Sequence, residues 1–277
     1  MNAGTTYKKI SETTNRADHL WRYTPWKKVH PTGDIKKIPK IDEEVRLRLI
    51  NLDGSELAEG ISLQRGDEIR ENLPNIDLVA TSFVKAVSEN SRWVLKTKRK
   101  FHSETPILLE IEADGDMHAL ELIFDIGEMS NLEIITLIKG NANWIGLLRT
   151  GKIGNASNIN DITVGMQKKG VLLRLDSMSL GRDSNMNTGT VSSGSERTKA
   201  DLRYKMAERG SNLHVLGSIL SRDSMHLDYH IEIQHDAPDT FSRLAWHAAC
   251  GGKSRTIGTG MLKVAKGSTG TDAAQNF

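Results

Sequence analysis

The segment Met225-His226-Leu227-Asp228-Tyr229-His230-Ile231-Glu232-Ile233-Gln234-His235 places an imidazole or a carboxylate at every second position from His226 to Glu232. On a strand, alternate side chains share a face. His226, Asp228, His230 and Glu232 would line one side, and Leu227, Tyr229, Ile231 and Ile233 the other. Neighbours on one face stand about 6.6 Å apart at the usual strand rise, too far for all four to hold one ion. Two of them, joined by a ligand from an adjacent strand or chain, form an imidazole and carboxylate set that suits iron or zinc. The competing reading is a strand surface that meets solvent or a partner.

Two other groupings could carry chemistry. His247 and Cys250 lie three apart, and an imidazole beside a thiol can make a reactive thiolate. No third orienting residue accompanies them, so a small buried thiol beside a turn is the expectation. Gly251-Gly252-Lys253-Ser254 has the end of a phosphate-binding loop, but that motif requires a glycine five positions before Gly252, and His247 stands there.

The elements that must position these residues follow from composition and pattern. Lys and Arg number 37 against 35 Asp and Glu, a formal charge of +2, and 38% of the 277 residues are apolar. That balance excludes a disordered chain and weighs against a nucleic-acid binder, which normally carries a basic stripe. No run approaches the roughly 20 apolar residues of a membrane helix, and the opening MNAGTTYKKISETTNR lacks the apolar core of a secretory signal. A cytoplasmic protein is expected. One cysteine permits no internal disulfide and no Cys-rich metal site.

Leu47, Leu49 and Leu52 alternate before Asp53-Gly54 and predict a strand running into a turn. Residues 76–87 approach a helical period and predict the last substantial helix. Beyond Arg92 come short apolar runs punctuated by turn residues: Ile107 to Ile111, Leu120 to Phe124, Leu132 to Ile138, Val171 to Leu175, Leu213 to Leu220, Leu227 to Ile233 and Met261 to Val264. Helical crossovers are missing, so a sandwich, a barrel or a solenoid fits, and spacing alone does not choose. The polar, Gly/Ser-rich stretch from Ser184 to Ser195 reads as an exposed turn or loop.

The order of the C-terminal motifs carries a resemblance. His226-x-Asp228, His235-x-Ala237-Pro238, Ser242-Arg243, the Gly251 to Arg255 step, Gly260, and Gly267 through Thr271-Asp272-Ala273-x-Gln275 follow one another with the spacing of the SufB/SufD scaffold proteins of iron–sulfur cluster assembly, and the chain resembles SufD most. Trp21-Arg22-Tyr23-Thr24 looks like the family's entry segment, and Glu104-Thr105-Pro106-Ile107 like its step into the core. The resemblance implies a mainly β chain, a right-handed parallel β-helix over 96–277 preceded by a small N-terminal α/β region over 1–95. It assigns structural or interface roles to Trp21, Tyr23, Pro106, His235, Pro238, Ser242, Arg243, Gly260, Asp272 and Gln275. It implies a non-enzymatic subunit that pairs with a SufB-like partner and a SufC-type ABC ATPase, with iron or a nascent cluster at the complex interface. The family's C-terminal helical, ATPase-docking region has no counterpart, so the expectation is a chain truncated at its C-terminus. The alternative is a β-helix enzyme or binding protein acting on polysaccharide, which needs paired carboxylates in an aromatic-lined groove; aromatics make up only 5% of the chain.

Overall fold

The computed structural model describes residues 2–14, 18–41, 43–66 and 73–277. Two eight-stranded sheets face each other. The first holds β1 (Arg46–Asn51), β4 (Ile107–Ala113), β6 (Asn131–Gly140), β8 (Asn158–Gln167), β10 (Asn185–Ser192), β12 (Asn212–Ser221), β14 (Phe241–Cys250) and β16 (Asp272–Asn276). The second holds β2 (Ile61–Arg65), β3 (Arg92–Thr97), β5 (Met117–Ile126), β7 (Trp144–Ile153), β9 (Val171–Leu180), β11 (Arg197–Met206), β13 (His226–His235) and β15 (Arg255–Val264). From β3 onward, successive strands alternate between the sheets, and each pairs in parallel with the strand two places later. This is a parallel β-solenoid of about seven turns. Among the described residues, only β1 on β4 and β2 on β3 are antiparallel. β3 spans residue 95, so the N-terminal part and the solenoid share both sheets.

The repeat of the central coils is 27 residues. Asn131, Asn158, Asn185 and Asn212 each open a strand and stack in register. The Asn185 amide donates to Asn158 Oδ1 at 2.9 Å, a bond that spans 27 positions. Two residues before each asparagine, the chain turns through a left-handed residue: Met129, Ala156, Asp183 and Gly210, with φ of 58, 54, 54 and 74°. Each coil therefore corners at the same place, and strand registry carries from one coil to the next.

Between the sheets runs the main core, with Leu132, Ile134, Leu147, Leu202, Tyr229 and Ile231 among its members. A charged group interrupts it: Arg149, Asp161, Arg174 and Asp176 are each at most 2% exposed. Arg149 bonds Asp161, and Arg174 Nη2 reaches Asp176 Oδ2 at 2.6 Å. Burial works against the charge on Arg149, yet Asp161 and Asp176 outweigh it and hold its pKa above the ordinary arginine value.

The sheets differ in what covers them. Strands of the first sheet alternate buried and outward residues, with one face open. Strands β7, β9, β11 and β13 are buried on both faces, because the N-terminal region lies across the second sheet. That region comprises α1 (Ala3–Ile10), a 3-10 turn (His19–Trp21), α2 (Trp26–Val29) and α3 (Leu78–Val87). Asp77 caps α3, its Oδ1 accepting from the Ala80 amide at 2.8 Å. Val79, Phe83 and Val84 of α3, with Tyr7, Trp21, Trp26 and Trp144, form a second core against Leu148, Leu173 and Leu175. Large aromatics bury on the order of 150–250 Å² each, so this cover is held by a dry interface.

Residues 184–195 are a correction to the sequence reading. They contain a full strand, β10, not a surface loop. Asn185, Asn187 and Gly189 are of residue types depleted in strands, but paired strands on both sides impose the conformation.

Candidate functional site

The row from His226 to Glu232 lies on β13, and the alternation holds. Leu227, Tyr229, Ile231 and Ile233 enter the solenoid core, while the polar row faces the N-terminal region. Asp228, His230 and Glu232 are nearly buried, at 2, 5 and 5% exposure. Opposite them in register on β11 stand Lys199, Asp201 and Arg203. Each rung joins unlike groups. Lys199 Nζ is 3.0 Å from Asp228 Oδ2, His230 Nδ1 donates to Asp201 Oδ1 at 2.9 Å, and Arg203 Nη1 is 3.6 Å from Glu232 Oε2. Lys263 Nζ also meets Glu232, at 2.8 Å.

The rungs reach outward to the N-terminal chain. The Thr24 hydroxyl donates to Asp228 Oδ2 at 2.5 Å, so its oxygen accepts from His226 Nε2 at 2.9 Å. Lys199 Nζ donates to the Leu20 carbonyl, Arg203 Nη1 to the Asn75 carbonyl at 2.7 Å, and Ser177 Oγ to the Pro74 carbonyl at 2.7 Å. Trp21 Nε1 donates to Asp77 Oδ2 at 3.1 Å, and the Asp77 amide donates to Asp201 at 3.3 Å. Carbonyls that form no helix or sheet ladder of their own are satisfied by side chains of the second sheet.

The electrostatics follow from burial. Desolvation pushes the Lys199 pKa down in spite of Asp228, and the same cause pushes Asp77 up. For Asp201 desolvation acts upward, but the hydrogen bond from His230 and the charge of Arg203 prevail and hold it below the usual carboxylate value. His226 is lowered by desolvation and by Arg197. Among the described residues, no three His, Cys, Asp or Glu side chains converge as a metal-binding group. Lys199 and Arg203 sit between the acids, so an ion entering the row must displace these bonds. What the arrangement does in this structure is hold the segments 18–30 and 73–77 on the solenoid.

The residues singled out by motif are dispersed. Trp21 is buried in the N-terminal core, and Tyr23 is on the surface with the Arg255 guanidinium 5.7 Å from its ring centroid. The Pro106 carbonyl accepts from Leu52 just before β4. His235 ends β13 inside the solenoid, Nδ1 2.7 Å from Thr240 Oγ1 and Nε2 2.8 Å from Ser242 Oγ; Pro238 lies in the turn that follows. Arg243 holds Asp272 with its two terminal nitrogens, Nη1 and Nη2, and covers Phe241 at 3.9 Å. On β15, Gly260 leaves room for Phe277 and Gln275, since an added Cβ would fall 2.4 and 2.6 Å from them.

Cys250 is a second correction: the thiol is exposed, not buried. Its three-residue spacing from His247 puts the two on opposite faces of β14, so they form no pair. Hydrogen bonds from Ser221 and Thr256 pull its pKa below the ordinary thiol value. The neighbouring glycine turn binds backbone, not phosphate: the Gly251 amide donates to Ser221 and the Lys253 amide to Asp223 of the preceding coil. The partners on β11 were not foreseen from sequence, although Lys199-x-Asp201-x-Arg203 carries the same two-residue alternation as the row it faces.

Among the described residues, no helix is long and apolar enough to cross a membrane. No curated protein matches the chain. A family model described as the SufBD core domain of SUF system FeS cluster assembly matches residues 110–276. That span takes in every strand from β5 to β16 and the whole polar row of β13, and the chain therefore belongs to the SufBD core-domain family of iron–sulfur cluster assembly.

Proposed function

We propose that this protein is a non-catalytic scaffold subunit of a cytoplasmic SUF-type complex, pairing with a SufB-like subunit and served by a SufC-type ABC ATPase, with iron or a nascent cluster handled as cargo. The observation that carries this reading is the family match over the solenoid. The ordered motifs from His226 to Gln275 favour a SufD-like place in the complex. The chemistry of the chain is consistent with support and not turnover: its densest polar cluster is closed by internal partners, and its single thiol leaves it without a thiolate cage of its own.

Co-expression with a SufB-like protein and a SufC-type ATPase tests the assignment. A stable complex that co-purifies is expected, and failure to associate with either would remove the assignment while leaving the fold intact. Within this reading, the row on β13 holds the N-terminal segment. Anaerobic iron titration of the parent and of His226→Ala with His230→Ala checks that role: equal stoichiometry is expected, and iron lost from the variant would return the row to metal binding.

A further inference from the structure

The rung that opens the polar row breaks its pattern. Further along β11 and β13, Lys199 faces Asp228, Asp201 faces His230 and Arg203 faces Glu232, unlike groups in each case. At the start of the same face, Arg197, His226 and Arg255 stand in register on β11, β13 and β15. Neighbours in this rung are about 4.8 Å apart, and like charges directly opposite each other destabilise a sheet. Among the described residues, no carboxylate pairs with either arginine or with Lys28, which lies beside them on α2. Glu196, next to Arg197 in the chain, accepts instead from the Gly170 amide at 3.1 Å. Both arginines are nonetheless held in place. Arg197 Nη1 donates to the Lys28 carbonyl at 3.1 Å while its Nε is buried with no acceptor, and the Arg255 guanidinium lies 5.7 Å from the Tyr23 ring centroid.

We propose that this rung is a binding site for a small, doubly charged oxyanion of the phosphate class, seated where the segment 18–30 meets the solenoid. Cationic or protonatable groups converge from four elements: Arg197 on β11, His226 on β13, Arg255 on β15 and Lys28 on α2. Donors arriving from several strands and an overlying helix suit a tetrahedral ion with an oxygen for each, whereas a planar carboxylate offers two. The ion is either free or the phosphoryl end of a larger molecule, since both present the same oxygens. His226 adds a dependence on pH. Its Nε2 already donates to Thr24, whose hydroxyl goes to Asp228, and protonation gives Nδ1 a hydrogen to donate as well. Desolvation lowers its pKa, and Arg197, Arg255 and Lys28 lower it further, against Asp228, which raises it and is itself bonded to Lys199. An anion in the rung counters those three charges and so raises the imidazole pKa. By linkage it binds more tightly as pH falls through the raised value. Nothing in this site rests on the SUF assignment.

Isothermal titration of the full chain with sulfate, at an ionic strength held constant by chloride, tests the proposal; sulfate stays doubly charged over the pH range in which phosphate changes its own charge. Saturable binding at one site is expected. Arg255→Gln, and separately Lys28→Gln, should weaken it about tenfold each, the worth of one charge-assisted hydrogen bond. Both side chains are exposed, so the fold tolerates their loss, and sulfate should raise the melting temperature of the parent by more than that of either variant. Affinity should increase from neutral pH into mild acid, and His226→Gln, which keeps an amide donor for Thr24, should flatten that slope. Inorganic phosphate and ATP, titrated at neutral pH, identify the source: affinity for ATP no greater than for phosphate marks a free ion, and tighter binding of ATP marks a larger phosphorylated ligand. No saturable binding, or binding that neither exposed variant weakens, overturns the site. Succinate bound as tightly as sulfate overturns the phosphate class, and a slope unchanged by His226→Gln removes the imidazole from the site.

Discussion

Lys199 and Asp228 stand directly opposite each other on β11 and β13, Nζ 3.0 Å from Oδ2, both side chains almost wholly out of water. Removing one partner of such a pair strands the other charge in a dry site. Asp228→Asn should cost about 3–5 kcal/mol in urea unfolding, whereas Lys199→Met combined with Asp228→Leu should recover most of that loss. A single variant no worse than the double would mean that the pair is not coupled.

Three histidines give stability a sign in mild acid. Burial lowers the pKa of His30, His226 and His235 below 6.5. As pH falls through that value, the unfolded chain takes up protons before the folded one, so stability present at neutral pH is lost until the folded-state values are passed. The melting temperature should decline from neutral pH into the mildly acidic range. His235→Gln, which keeps an amide for Ser242, should flatten part of that slope; an identical slope would exclude His235 as a contributor.

Backbone demands at Gly140, the last residue of β6, and at Ala156, in a turn, oppose each other. Gly140 has φ of 114°, and a Cβ there would fall 2.0 Å from the Ala113 carbonyl oxygen. Gly140→Ala should therefore lose roughly 1–3 kcal/mol or more. Ala156 is exposed at φ 54°. Ala156→Gly relieves a left-handed penalty of about 1–2 kcal/mol against roughly 0.4–1 kcal/mol of added chain entropy, a small net gain. Calorimetry on both variants should show shifts of opposite sign.

The Cys250 thiol, exposed and hydrogen-bonded by Ser221 and Thr256, should alkylate with a midpoint below the ordinary value of 9.0. Ser221→Ala with Thr256→Val should move the midpoint of the iodoacetamide rate profile upward. No movement would assign the lowered pKa to another cause.

Much of the solenoid can be read from the chain where apolar residues alternate cleanly, as in β4, β6, β12 and β13. It fades where the core itself is charged. Arg149 in β7, Asp161 in β8, and Arg174 with Asp176 in β9 occupy inward positions, so a hydrophobic period misses or shortens those strands. The asparagines at 131, 158, 185 and 212 hold the repeat instead, and Asn185 and Asn187 disguise β10 as a loop. In the polar row, strand alternation correctly separates His226, Asp228, His230 and Glu232 from the core. Their partners could not be read the same way, because Lys199, Asp201 and Arg203 meet them through sheet register and Thr24 reaches them from 204 positions away.

That last contact constrains how the protein comes into being. Thr24 is bonded to β13, Val29 to Trp144, and Pro74 to Ser177, so the N-terminal chain works as a splint across four coils. Solenoids without such a brace can open one coil at a time from an end. Here fraying at β13 must first unseat the splint, which couples the coils into one unfolding unit. During synthesis the order is reversed. The first thirty residues leave the ribosome with nothing to rest on, and they cannot complete their docking until the segment around residue 228 has emerged, leaving Trp21 and Trp26 uncovered in the interval.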